Sequence, residues 1–130
     1  KAGEGQSMVE FALILPLLII IIVGVFDLGR AFFAYITITN AAREGARYGT
    51  LHTDELVGQV QSAAVTEATS SGINITSGNV VVTCPDTATA WPCGSGESVK
   101  VTVSYTFNSW LNMIIPASVT MQRSVEMAVP

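Results

Sequence analysis

The residues in this chain whose types could do chemistry are few and scattered. His52 is the only histidine, and it stands in a polar link beside Thr53 and Asp54. A lone histidine in such a place faces solvent far more often than it acts as a general base. Cys84 and Cys93 are the only cysteines, and they bracket one short stretch with no histidine or further cysteine to complete a zinc site. An even count in one local loop reads as a disulfide staple and points outside the cell. Asn74-Ile75-Thr76 fits the Asn-x-Ser/Thr glycan-acceptor pattern, a tripeptide common by chance. No Gly-rich phosphate loop or nucleophile elbow is present. This is not the inventory of an enzyme, and it implies no cofactor or metal.

The remaining charges suit assembly instead. Glu10 stands at the mouth of an uncharged run from Phe11 to Phe26. A carboxylate near the bilayer core costs a few kcal/mol on insertion scales, so it wants a cation: a neighbouring subunit's α-amino group, Lys1, Arg30 or Arg43. Such a pair would set axial register. The competing reading makes Glu10 the acid of a capping box begun by Ser7. Asp27 and Arg30 are spaced i, i+3 and can pair on a helix, while Arg43 and Arg47 lie i, i+4. All four are candidates for charges between subunits.

Bulk composition narrows the classes further. Of 130 residues, 49% are hydrophobic and only 12% charged, against roughly 25% charged in a soluble domain. The net charge of −4 and six scattered Lys/Arg argue against nucleic-acid binding, which needs clustered cations.

These residues must be positioned by a stem and a head. From Ser7 to about Thr50 the chain reads as one long helix, with Pro16 expected to kink it. The run from Phe11 to Phe26 spans only about 24 Å as a helix, short for a hydrocarbon core of about 30 Å. Extending it through Leu28 and Ala31–Ala34 takes Asp27 and Arg30 along. Such a span suits both lipid and a protein assembly. No Ala-x-Ala-like site follows the run, so it is expected to be retained rather than cleaved as a signal. Farther on, Ala42, Gly45, Ala46 and Gly49 recur at spacings of three and four. They form a narrow face for close backbone approach, between subunits or as a seam under the head.

The head is expected from residue 51 to 130. A second helix is predicted from Thr53 or Asp54 to about Ser70, with Leu56, Val57, Val60, Ala63, Ala64 and Ala68 at helical spacing. The period then changes to two over Val80–Thr83, Ser98–Phe107 and Val119–Met127, which read as strands. The fold class is α+β: a long hydrophobic helix, a second helix and a small antiparallel sheet. Such a sheet is too small for a large core unless it packs on the stem. Phe107 and Tyr105 are assigned to that core. Trp91 reads as more open, and the loop from Pro85 to Gly96 is expected to carry variable surface contacts.

Gly5-Gln6-Ser7-Met8-Val9-Glu10-Phe11-Ala12-Leu13, the apolar run with Pro16, and Asn40-Ala41-Ala42-Arg43-Glu44-Gly45-Ala46-Arg47-Tyr48 together resemble the TadE-like pilins and pseudopilins of the tight-adherence (Tad/Flp) branch of type IV pili. The resemblance is carried by residues 5 to 49. It implies a polar leader or tail at 1–5, an assembly and transmembrane helix at 6–50, and an exposed head at 51–130. It implies a structural subunit stored in the cytoplasmic (inner) membrane of a prokaryote and then packed against copies of itself in an extracellular, adhesive helical filament. The alternative is a minor pilin that stays in the membrane with the Tad assembly machinery. The resemblance further implies a prepilin peptidase cutting between Gly5 and Gln6, with Glu10 the acid at the fifth mature position. A chain that keeps Lys1 to Gly5 would instead be cut upstream of Lys1 or not at Gly5.

Overall fold

The computed structural model describes residues 4–86, 91–113 and 118–130. Its first element, α1, is a 48-residue helix, Glu4–Leu51, about 72 Å long at the helical rise. It starts before Ser7, so the expected capping box is not the helix start: Ser7 and Glu10 both lie within the opening turns. Glu10 Oε1 instead accepts a hydrogen bond from Gln6 Nε2 at 3.4 Å. The helix runs on through Pro16, whose ring removes the donor to the Ala12 carbonyl and crowds that carbonyl.

The second helix, α2 (Val57–Ser70), starts later than its Thr53-Asp54 signal, with Leu56 as N-cap and no side-chain cap. The intervening residues make a turn instead. Glu55 N donates to the His52 carbonyl, and Tyr48 Oη donates to Glu55 Oε2 at 2.6 Å. Three strands follow, β1 (Val80–Thr83), β2 (Ser98–Asn108) and β3 (Ser118–Ala128). They form one antiparallel sheet in that order. A short 3-10 turn, Trp110–Met113, follows β2 at the tip of the β2–β3 hairpin.

The alternation read in β2 is observed: Val99, Val101, Val103 and Phe107 are buried and Tyr105 is half-buried. Polar side chains line the other face, where Thr102 and Ser124 share a hydrogen bond across the register at 2.8 Å. The apolar face of the sheet packs on the second half of α1, with α2 beside it. Ile38, Ala41, Ala42 and Ala46 of α1, Val60, Ala64 and Ala68 of α2 and the three β2 valines share one core. Gln61 Nε2 ties α2 to β1 through the Val80 carbonyl at 2.9 Å.

The small residues of α1 make this packing possible. A Cβ added at Gly45 would meet Ala64 Cβ at 3.1 Å and Val101 Cγ1 at 3.2 Å; one at Gly49 would meet Val99 Cγ1 at 3.1 Å. Strand β2 thus runs down the helix antiparallel to it, Val99 at Gly49 and Val101 at Gly45. Four helical residues rise about 6 Å and two strand residues about 6.6 Å, so the two elements stay in step.

Candidate functional site: an exposed stem and its clasp to the head

The two halves of α1 have opposite environments. Every residue from Gly5 to Ile22 is exposed, whereas Ala34, Ile38, Ala41, Ala42 and Ala46 are buried. The exposed half carries Phe11, Leu13, Ile14, Leu17 and Ile19 to Ile22 around its whole circumference. A helix apolar all round belongs in lipid or inside a bundle, not against water. α1 is long and apolar enough to cross a membrane, and its most apolar stretch is not buried within the molecule. Glu10 is exposed on that rod, with the Gln6 amide within 3.4 Å. The Gly5–Gln6 bond lies in the first turn of α1.

The boundary between the halves is marked by Asp27, which is only 6% exposed. Its Oδ1 accepts from Arg30 Nη1 at 2.8 Å, the i, i+3 pair read in the sequence. Its Oδ2 does something that no local pattern indicates. It accepts the Ser109 hydroxyl, the Trp110 amide at 2.8 Å and the Leu111 amide at 3.2 Å. Asp27 therefore caps the 3-10 turn at the hairpin tip and clasps the head to the stem. Above it the Arg30 guanidinium lies 4.5 Å from the Trp110 ring centroid and 5.2 Å from that of Phe107, within cation–π range. A second cationic contact, Arg123 over Tyr35 at 4.9 Å, holds β3 to α1. Arg123 Nε is buried there without a hydrogen-bond partner among the described residues.

Of the four candidate intersubunit charges, three are engaged within the chain. Asp27 and Arg30 form the clasp, and Arg47 makes a two-point pair with Glu44 at 2.6 and 2.9 Å. Arg43 is exposed and forms no ion pair among the described residues. The face of Ala42, Gly45, Ala46 and Gly49 is occupied by the head's own α2 and β2, so in this chain it is the seam under the head. Pro16 remains on the exposed stem.

In the head, Cys84 and Cys93 form a disulfide. In the chain-entropy model so small a loop gains roughly 2–3 kcal/mol. Residues 87–90 of the loop expected to carry surface contacts lie outside the described residues. Trp91 is less open than its sequence context indicated: it packs against Gly49, and its indole N–H donates to the Glu55 carbonyl at 2.7 Å. Asn74 is exposed in the link between α2 and β1. His52 stacks on Tyr48 at 4.2 Å, with Nδ1 3.1 Å from the Tyr48 carbonyl. Among the described residues no three His, Cys, Asp or Glu side chains gather as a metal site requires.

A long exposed apolar helix that carries a small α+β head on its second half is the layout of a pilin-like subunit. The stem is TadE-like: residues 5–47 match the family model described as TadE-like protein, the segment over which the sequence resemblance runs. No curated protein and no solved structure matches the chain. The match covers the stem, not the head.

Proposed function

We propose that the chain is a structural subunit of a Tad-type pilus, stored in the membrane by its stem and polymerised through it into a filament that displays the heads. The observation that carries this reading is the rod from Gly5 to Ile22, apolar on every side, exposed throughout and bearing one acid. In the bilayer, lipid covers that surface; in a filament, copies of the same rod do. Glu10 then has a role in both settings. Near the membrane surface it reaches water, and in the assembled bundle it requires a cation from another copy, which selects one axial offset over its neighbours. Arg43, the α1 arginine not already paired, and an α-amino group are the candidate partners. A prepilin peptidase acting at Gly5–Gln6 would supply that amino group one turn from Glu10.

The test is to express the full chain with the Tad machinery and image the shed surface material. Filaments built of this chain are expected from the wild type. Glu10→Ala is expected to enter the membrane normally while filament yield falls at least about tenfold, the worth of a lost pair near 1.4 kcal/mol per contact. Wild-type chain found only as membrane-bound monomers under conditions that raise pili would overturn the reading and favour a minor, membrane-resident component. Normal filaments from Glu10→Ala would remove Glu10 from the assembly step.

A further inference from the structure

The hairpin tip that Asp27 holds does not sit on top of the stem but descends along it. Phe107 lies at Arg30, the Trp110 amide at Asp27, and Leu111 Cδ1 4.0 Å from where a Gly24 Cβ would stand. The tip therefore reaches down to the end of the apolar run, and there it presents an aromatic outward. Trp110 is 61% exposed, and its indole N–H makes no hydrogen bond among the described residues. The half-exposed Arg30 guanidinium covers its ring.

We propose that residues 109–112, led by Trp110 with Leu111, form an interfacial membrane anchor that seats in the headgroup layer on the head side and fixes the depth of the stem. The inference rests on the stem occupying a bilayer before assembly. The occupant is the lipid interface, and three observations select it. The surface is continuous with the exposed apolar stem. Its composition is a tryptophan with one apolar and one polar end, beside a cation that can approach lipid phosphate, which is the chemistry of an interfacial belt. The lengths also agree. With the interface at Asp27, a core of about 30 Å reaches back about 20 residues, to Ser7. Glu10 then lies only about 5 Å inside the far boundary, close enough for its carboxylate to reach water. Without the tip the stem could slide deeper, because Phe32 and Phe33 continue its apolar surface. The clasp at Asp27 makes such sliding drag polar head backbone into hydrocarbon.

The experiment uses the full chain in phosphatidylcholine–phosphatidylglycerol vesicles whose acyl chains are brominated either near the headgroup or near the bilayer centre. Subtracting the fluorescence of Trp110→Phe, a change at an exposed site, from that of wild type isolates the Trp110 signal from Trp91. Protease protection of the stem is measured on the same vesicles. The expected result is a protected stem and a Trp110 signal quenched at least about twofold more by the shallow label than by the deep one. A protected stem with Trp110 insensitive to both labels, or quenched equally or more by the deep label, overturns the anchor and leaves the membrane-stored stem standing. A stem that is not protected overturns the storage reading and the anchor with it.

Discussion

Asp27 contributes one carboxylate to four donors, three of them from a turn more than 80 residues away in the chain. Two of those donors are backbone amides at the start of a 3-10 turn: the Trp110 amide finds its acceptor in Asp27, while the Leu111 amide is shared between Asp27 and Ser109 Oγ, 3.0 Å away. Asp27→Asn keeps one acceptor oxygen and loses the charge. We expect the Trp110 amide to exchange with solvent about tenfold to a hundredfold faster, equivalent to about 1.4–2.7 kcal/mol, close to the range for bonds to a charged group. The Leu111 amide, which keeps Ser109 Oγ as an acceptor, should accelerate less. Amides in the centre of β2, such as Val101, should be unaffected. Hydrogen exchange of the full chain in micelles measures both, and equal acceleration at Val101 would mean that Asp27 supports the whole sheet rather than its tip. The sequence showed half of this site. The Arg30 pair is local and follows from helical spacing, but Ser109 and Trp110 carry no mark of a distant acid. Only the path of β2 along α1 brings them to it.

Gly29 and Gly45 stand on one helix, yet substitution at each should have opposite effects. Alanine at Gly29 meets nothing within 4 Å, so it gains the usual helical advantage of about 0.5–1 kcal/mol. At Gly45 the same methyl would press on Ala64 Cβ and on Val101 Cγ1. The Ala64 methyl is fixed to the α2 backbone, and the helices must part to admit it. Overpacking of about 1–3 kcal/mol outweighs the helical gain, so Gly45→Ala is expected to lower the denaturation midpoint and Gly29→Ala to raise it. Urea titration followed by circular dichroism decides the sign of each; stabilisation by both would mean that the seam is looser than its contacts imply. The elements themselves were mostly legible. An unbroken apolar run gave the stem, and alternation gave the strands to within a residue or so of their observed ends. The start of α2 was not, because Thr53 and Asp54 are capping types that this chain uses in a turn. The small-residue face was legible as a packing surface, but its partner was not: spacing defines a smooth stripe and says nothing of whether a head or a second copy will lie on it.

At the scale of the whole molecule, the chain divides at Asp27 rather than at the end of its first helix. The head's core runs through Ile38, Ala41, Ala42 and Ala46, all on α1, so the last turns of the stem helix are structurally part of the head. The exposed segment from Gly5 to Ile22 contributes nothing to that core. Removing residues 1–22 should therefore leave a head that folds, with a thermal midpoint within a few degrees of the full chain and no membrane-spanning segment. Removing residues 1–39 deletes Ala34, Ile38 and the Asp27 clasp together. It strips large buried groups at about 2–5 kcal/mol for a side chain such as isoleucine, against a total of only about 5–15 kcal/mol for a domain, and should abolish folding. The near-ultraviolet dichroism of Trp91, packed on Gly49 and bonded to Glu55, separates the two outcomes. Loss of that signal in the shorter deletion would mean that the exposed rod stabilises the head after all. The assembly surface would then extend into the fold instead of projecting from it.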